Sequence, residues 1–184
     1  MQKVIRWIVK LLFRSLFWFL GLSIGLVFLY RFVPVPITPL MVIRAWDQWT
    51  DPEVNFHLEK DWISWENISP NAPWAVVAAE DQNFLDHAGF DWKAMEKAWE
   101  ENKKGKTIKG ASTISQQTAK NVFLWPGRTY IRKGLEAYFT VLIELIWPKE
   151  RILEVYLNVV EMGNGIYGVE AASQNYYGIA ALEL

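Results

Sequence analysis

A pair of acidic residues, Glu80 and Asp81, directly follows the apolar run AVVAA. A carboxyl group at the partly buried end of a helix is suited to general acid or general base chemistry. Taken alone, the same position also fits an ordinary solvated helix end. His87 follows nearby, but His57 is the other histidine of the chain, so a histidine metal cluster or a triad with Ser112 lacks its partners. Glu80 is therefore a catalytic candidate, although these residues alone favour the solvated helix end.

The stretch from Lys103 to Lys133 is strongly basic and contains no Asp or Glu. In a chain with a net charge of -1, this concentration predicts a local anion site, whereas a nucleic-acid binder would show an overall basic excess. A solvated basic surface is the alternative interpretation. The basic residues of the stretch are Lys103, Lys104, Lys106, Lys109, Lys120, Arg128, Arg132 and Lys133.

The middle of this stretch combines a cation with neutral hydrogen-bonding side chains. Thr113, Gln117, Lys120 and Asn121 are spaced to share one face of a helix, which would present donors for sugar hydroxyls beside a positive charge. Gly110 and Ser112 precede that helix, and free backbone N–H groups at a helix start favour phosphate. The pattern predicts a site for a phosphorylated sugar compound.

Glu136 is the second acidic candidate, because it lies four residues after Arg132 and three after Lys133. On a helix these three side chains share one side, either as a surface ion pair or as a carboxylate held ionised beside the anion site. Two carboxylates in contrasting environments next to a pyrophosphate-type site indicate glycosyl transfer or glycoside cleavage. No ligand set for a metal ion is recognisable.

Gly163, Gly165 and Gly168 match the G-x-G-x-x-G dinucleotide pattern. That pattern requires a preceding strand, and the preceding segment ILEVYLNVVEM is helical in its periodicity. We therefore reject a nucleotide site and expect the glycines to end one helix and let the next one pack closely.

The elements that must position these residues are predicted to be helices, so the fold class is mainly α. Pro73 suits a first helical turn, and a second helix capped by Asp91 carries Trp92, Met95 and Trp99 as a core stripe that ends before Gly105. No strand of useful length is predicted. The remaining helices are expected from near Ser112, from Arg128 to Ile146, from Pro148 to Met162 and from Gly168 to Tyr177.

The N-terminal part reads as a single membrane span. Residues 15–30 carry no charge and are flanked by apolar residues, which extends the anchor to residues 15–33. Basic residues are concentrated in residues 1–14, so the positive-inside rule places that segment in the cytoplasm and the remainder outside. Residues 34–66 are expected to form a juxtamembrane connection, and residues 67–184 a helical domain. The absence of cysteine excludes disulfides and thiolate sites.

Four ordered blocks resemble the peptidoglycan glycosyltransferases, most closely the monofunctional membrane-bound biosynthetic transglycosylases. The blocks are EDQNFLDHAGFDW at Glu80, GASTISQQTAKN at Gly110, RKGLEAYF at Arg132 and RILEVYLNVVEMGNGIYGVEAAS at Arg151. The resemblance implies a lysozyme-like helical glycosyltransferase domain that polymerises lipid II at the outer, periplasmic face of the bacterial inner membrane. It implies no organic cofactor, and it suggests a divalent cation, Mg²⁺ or Mn²⁺.

The resemblance also assigns residue roles. Glu80 would be the general base that activates the 4-hydroxyl of the acceptor sugar, giving an inverted β-1,4 link, and Glu136 the second catalytic carboxylate near the donor. Lipid II, the growing glycan chain, membrane lipids and other cell-wall synthesis proteins are the expected partners, and nucleic acid is not. Substrate would be bound by Ser112, Gln117, Lys120, Asn121, Arg128, Arg132 and Lys133, of which the four cations would hold the pyrophosphate.

The chain departs from the family pattern at three places. It has Gly-Ala-Ser at Gly110 where much of the family has two glycines, and Ser115 where Thr is common. It also ends at Leu184, earlier than the family domain, so the domain is expected to be incomplete at its C-terminus.

Three competing functions are weighed against glycosyl transfer. A lytic hydrolase of lysozyme type would share a carboxylate and a helical fold but has no need of the basic stretch. A noncatalytic membrane scaffold would use the anchor and the aromatic surface, and the retained Glu80 and Glu136 argue against it. A phosphate-binding transporter accessory is more remote, because a single span makes no pathway.

Overall fold

The computed structural model describes residues 2–51, 53, 55–105 and 110–184. The chain divides into two compact units, Met1–Val33 and Pro34–Leu184. Lys106 and Lys109 of the predicted basic stretch lie outside the described residues.

The first unit contains one helix, α1 (Gln2–Tyr30), of 29 residues and therefore about 43 Å. It is long and apolar enough to cross a membrane. The helix begins well before the predicted anchor at residue 15, because Lys and Arg are good helix formers and do not interrupt it. The spacing of Lys3, Arg6, Lys10 and Arg14 places them on one face of its first half.

The second unit is mainly α, as predicted, with a small sheet. Its helices are α2 (Pro39–Thr50), α3 (Asn71–Glu80), α4 (Trp92–Lys103), α5 (Ile114–Phe123), α6 (Tyr130–Ile146), α7 (Lys149–Val159) and α8 (Val169–Tyr177), with short 3-10 turns at Trp65–Asn67 and Ala181–Glu183. The sheet consists of β1 (Glu59–Lys60), β2 (Glu161–Gly163) and β3 (Ile166–Tyr167) in the order β1-β3-β2. β1 runs parallel and β2 antiparallel to the central β3.

Helix α5 forms the centre of this unit, packed against α6 and α7. Ile114 of α5, Ile143 of α6 and Ile152 of α7 are fully buried between them. The rings of Phe123 and Phe139 stack with centroids 4.5 Å apart. Most residues of α5 are buried, including polar ones, so its position is strongly fixed. A central, immobile α5 is what holds the candidate site residues in place.

The local sequence explains where these helices begin. Thr113 caps α5 through a capping box in which its side chain accepts from the Gln116 N–H and the Gln116 side chain accepts from the Thr113 N–H. Thr129 caps α6, so this helix begins at Tyr130 rather than at Arg128. Asp91 caps α4 by accepting from the Ala94 N–H, as predicted.

Residues 34–66, which the sequence set apart as a connection, contribute elements to the second unit. Thr38 caps α2, and Pro39 occupies its first turn. β1 pairs with β3, and the buried side chain of Asn158 in α7 binds both the N–H and the C=O of Ile63 at 2.8 and 3.0 Å. These contacts integrate the segment with the helical domain.

The prediction of a buried stripe on α4 is wrong. Trp92 and Trp99 are 70% and 62% exposed, whereas Ala98 is the buried residue of this helix. Periodicity identifies an apolar stripe, but it does not show whether another element covers that stripe. In α4 a small residue faces inward instead. Lys103 partly shields Trp99, with its Nζ 3.4 Å from the ring centroid.

The strands were missed and the glycine segment was only partly predicted. Strands of two or three residues are too short to produce a recognisable alternation. α7 ends at Val159, and Gly163 and Gly165 lie in the β2–β3 hairpin instead of ending a helix. A Cβ on Gly165, at φ +75°, would overlap the His57 carbonyl oxygen. Gly168, at φ +85°, allows the start of α8 to approach Asn158 of α7, which is the close packing predicted.

Candidate active site

Glu80 is the last residue of α3, and its carboxylate is exposed. Its Oε2 accepts a hydrogen bond of 2.8 Å from Gln117 Nε2 of α5. The prediction of a partly buried carboxyl is wrong, because α3 ends at this residue and the following Asp81 takes the buried position. The chain therefore presents Glu80 to solvent at a fixed place beside α5.

Behind Gln117 lies Tyr156 of α7, whose hydroxyl is 3.5 Å from Gln117 Oε1. Burial, and then the negative charge of Glu80, raise the pKa of Tyr156 to about 12. The phenol therefore stays protonated and can donate to Gln117. Sequence analysis did not identify Tyr156, since a tyrosine in an apolar helical stretch normally indicates core packing. Tyr156 therefore makes a long contact with the amide that binds Glu80.

Asp81 anchors the end of α3 to the start of α5. Its buried carboxylate accepts from the Ile114 N–H at 3.0 Å and from His87 Nε2 at 2.9 Å. His87 Nδ1 accepts from the Gly89 N–H, which leaves the ring proton on Nε2. Both ring nitrogens of His87 are therefore engaged in holding this loop. This geometry excludes the triad with Ser112.

A second set of buried polar contacts fixes the loop between α3 and α4. Thr113 Oγ1 donates to the Gly89 carbonyl at 2.7 Å. Lys149 Nζ donates to the His87 carbonyl at 2.6 Å and to Glu144 Oε1 at 2.8 Å, and Ser115 Oγ also donates to Glu144. The loop that follows Glu80 is therefore tied to the starts of α5 and α7, which limits its movement.

Glu136 occupies a contrasting environment at the start of α6. It is 3% exposed and pairs with Arg132 Nη1 at 2.9 Å and with Lys133 Nζ. Arg132 is itself 9% exposed, and within the described residues its Nε has no hydrogen-bond partner. A buried donor without a partner in the protein is available to an acceptor such as water or a phosphate oxygen.

Lys120 of α5 lies in the field of both carboxylates. Burial lowers the pKa of Lys120, Glu136 and more weakly Glu80 oppose that change, and Arg132 and Lys133 reinforce it. A buried cation near other cations is stabilised by the arrival of an anion. Helix α5 therefore has one polar face, on which Gln117 binds Glu80 and Lys120 lies beside the cations of α6.

Two cavities contain the candidate residues, one before the start of α5 and one beside Lys120 and Asn121 of α5. The first, here the Glu80 cleft, is lined by Glu80, Asp81, Gly110, Ser112, Thr113 and residues of α4 such as Lys97. The second, here the cation cavity, is lined by Leu40, Arg44, Lys120, Asn121, residues 124–128, Arg132 and Glu161.

The structure divides the predicted site residues into those that line the Glu80 cleft, those that line the cation cavity, and those that line neither cavity. Ser112 joins Glu80 in the cleft, and Lys120, Asn121, Arg128 and Arg132 line the cation cavity. Gln117 lies between them and binds Glu80. Glu136 and Lys133 do not line either cavity; Glu136 holds Arg132, and Lys133 pairs with Glu136. Sequence analysis missed Arg44 and Glu161, because nothing in the sequence relates α2 and β2 to the basic stretch.

Comparisons with known proteins identify the family. The transglycosylase family model matches residues 51–184. A biosynthetic peptidoglycan transglycosylase of Bdellovibrio bacteriovorus is 58% identical over 184 residues, covering the whole of this chain and 71% of that protein. Proteins of the same name from Caulobacter vibrioides and Pseudomonas fluorescens (strain Pf-5) are 57% and 50% identical, covering 86% and 98% of this chain and 66% and 75% of their own lengths.

The family match includes the residues of the Glu80 cleft and those of the cation cavity that follow residue 50, and the Bdellovibrio match covers the whole chain. They confirm the predicted family and the lysozyme-like helical fold with one apolar N-terminal helix. The chain belongs to the transglycosylase family and is a glycosyltransferase.

Proposed function

We propose that this chain polymerises peptidoglycan glycan strands from lipid II, forming β-1,4 links with inversion and releasing the lipid pyrophosphate. The observation that carries the proposal is the pairing of an exposed, oriented carboxylate with a cation cavity on the same face of α5. The names of the relatives supply peptidoglycan as the substrate class. Glycosyl transfer from a pyrophosphate donor requires both a base and an anion site.

Glu80 acts as the general base at the acceptor. Gln117 holds Oε2, and the other carboxylate oxygen can take the proton of an acceptor 4-hydroxyl in the Glu80 cleft. The acceptor oxygen then bonds to the anomeric carbon of the donor as the bond from that carbon to the pyrophosphate oxygen breaks. Attack opposite the leaving group inverts the anomeric carbon. Ser112, at the edge of the cleft, contacts the sugar.

The cation cavity holds the pyrophosphate before and after this bond breaks. Lys120, Arg128 and Arg132 supply positive charge there, and Asn121 supplies a neutral polar side chain. The unpaired Nε of Arg132 offers a buried donor to a phosphate oxygen. Glu136 does not line the cavity; it supports the anion site by fixing Arg132, with Lys133 on its other side.

The expected divalent cation does not fit this cavity as a metal held by the protein. In the part of the chain that the structure describes, no group of three or more His, Asp or Glu side chains is arranged for metal binding. The cavity is lined by Arg and Lys side chains, which repel a cation and bind phosphate directly. We draw no step of the reaction through a metal ion.

Helix α1 would anchor the enzyme in the bacterial inner membrane, where lipid II and membrane lipids are found. The basic residues of its first half support, through the positive-inside rule, a cytoplasmic N-terminus and a periplasmic catalytic unit, where other cell-wall synthesis proteins would meet it. Because the chain contains no cysteine, a single cysteine at the exposed position 104 would be unique. An impermeant maleimide should label it from the periplasmic side; labelling only after cell lysis would reverse the orientation.

The proposed activity is tested by product analysis. The detergent-solubilised chain is incubated with fluorescent lipid II, and the products are separated by gel electrophoresis before and after lysozyme digestion. A ladder of polymer that lysozyme degrades supports β-1,4 glycan synthesis. Shortening of added glycan strands would indicate a lytic hydrolase, and no product from a folded protein would indicate a noncatalytic scaffold.

A further inference from the structure

Helix α2 contributes an arginine to the cation cavity. Arg44 lines this cavity with Lys120 and Arg132, although it comes from the segment predicted to be only a connection. Its side chain is 51% exposed, so it remains accessible to a ligand. Arg44 adds a cation from an element other than α5 and α6, and a flexible, charged pyrophosphate is bound best by donors from several directions.

Glu161 of β2 stands beside Arg44. Arg44 Nε and Glu161 Oε1 are 3.6 Å apart, which is within ion-pair range but beyond a hydrogen bond. Such a half-exposed ion pair adds little to the free energy of unfolding, so a stabilising role does not account for it. Both residues line the cation cavity, and no hydrogen bond between them occupies the donors of the guanidinium.

The position of Glu161 is itself fixed by the small sheet. Glu161 lies opposite Tyr167 in the β2–β3 pair, and Tyr167 is fully buried. Burial first, and then Glu161, raise the pKa of Tyr167 to about 12, with Arg44 opposing. The phenol therefore stays neutral and adds no negative charge to the cavity. Glu161 is thus placed by the pairing of β2 with β3, and Arg44 by α2.

We propose that Arg44 is a further phosphate-binding side chain of the cation cavity and that Glu161 is its positioning residue. The inference rests on the proposed function, because it assigns Arg44 to the pyrophosphate of the same lipid-linked donor. It makes α2 part of the active site. A phosphate from an anionic lipid headgroup would offer similar chemistry, and the test separates the two sources.

The test measures the affinity of the full chain for inorganic pyrophosphate by calorimetry in a neutral detergent, which supplies no phosphate. We expect Arg44→Gln to weaken binding about three- to tenfold and Arg44→Lys to weaken it less. Lys104→Gln is the matched control, because Lys104 is exposed and lines neither cavity. If Arg44→Gln lowers the melting temperature strongly, Arg44→Lys carries the comparison.

Lys120→Ala separates failure of this inference from failure of the proposed function. If the wild-type chain does not bind pyrophosphate, or Lys120→Ala binds as well as wild type, the cation cavity itself is rejected. If Lys120→Ala weakens binding but Arg44→Gln matches Lys104→Gln, the cavity stands and the role of Arg44 is rejected. Arg44→Gln could also bind pyrophosphate normally but retain less phosphatidylglycerol after purification. That result would assign Arg44 to lipid headgroups and would also overturn the inference.

A double-mutant cycle tests the positioning role of Glu161. Glu161→Gln removes a negative charge, which alone should strengthen anion binding. We expect this gain to be full in the Arg44→Gln background and reduced or reversed in the wild type, because there the substitution also releases Arg44. Equal gains in both backgrounds would show that Glu161 does not position Arg44.

Discussion

Glu80 and Glu136 are the same residue type in opposite surroundings. Glu80 is exposed and held by a neutral amide, whereas Glu136 is 3% exposed and held by two cations. An accessible carboxylate that is held by a neutral amide can accept a proton from an incoming hydroxyl. A buried carboxylate between two cations is committed to those cations. This difference is the basis for proposing Glu80 as the reacting carboxylate and Glu136 as a support of the anion site.

The largest expected effect separates the two carboxylates by rate. Glu80→Gln should lower lipid II polymerisation roughly 10²- to 10⁴-fold, because the amide cannot accept the proton. Pyrophosphate affinity and melting temperature should stay near wild type, since Glu80 is exposed and does not line the cation cavity. The rate is measured by gel analysis of labelled product. Substantial polymer from this variant would remove Glu80 from its role.

Glu136→Gln should act on stability instead. It leaves the buried Arg132 without its anionic partner, which costs about 3 to 5 kcal/mol of unfolding free energy. Denaturant unfolding of the solubilised chain measures the loss, with the exposed Glu100→Gln as the control. A variant as stable as the control would mean that the Glu136 contacts contribute nothing to the fold, and the contrast between the carboxylates would be lost.

The pH dependence of pyrophosphate binding tests Lys120. Burial lowers the pKa of Lys120 below its ordinary value of 10.5, so the side chain loses its charge earlier as the pH rises. As the pH rises toward that ordinary value, pyrophosphate affinity should therefore fall by about tenfold. Lys120→Arg should abolish this fall, because guanidinium stays charged.

The same shift predicts the opposite trend for the ligand-free protein. Between the lowered pKa and 10.5, the unfolded chain binds more protons at Lys120 than the folded chain does. The contribution of Lys120 to the free energy of unfolding therefore increases as the pH rises through this window. Comparing the pH dependence of the free energy of unfolding between wild type and Lys120→Arg isolates this contribution.

An identical pH profile of pyrophosphate binding for both proteins would contradict the assignment of Lys120.

The smallest expected effect concerns the orientation of Glu80. Gln117→Ala removes the hydrogen bond to Oε2, and we expect the polymerisation rate to fall about three- to tenfold with unchanged pyrophosphate affinity. Tyr156→Phe removes the hydroxyl behind Gln117 and serves as the matched variant, with a smaller loss of rate. A loss of pyrophosphate affinity in Gln117→Ala would instead place this amide at the donor.

Several parts of the fold could be predicted from local signals. Asp91 before α4, Gly105 after it and the spacing of Glu136 from Arg132 and Lys133 act within a few residues of the chain, so their outcome follows from sequence. The exposed Trp92 and Trp99 could not be predicted, because their exposure depends on whether a distant element covers α4. The exposure of Glu80 likewise depends on which residue after α3 meets α5.

By itself, the sequence determined the mainly α class, the apolar N-terminal helix, the family and the cationic character of the site. These depend on composition, periodicity and short-range spacing, which the chain carries in any conformation. Only the tertiary structure decided that Arg44 and Glu161 join Lys120 and Arg132 at one cavity, and that Asp81 rather than Glu80 is buried. Those facts depend on contacts between residues far apart in the chain, which local pattern does not encode.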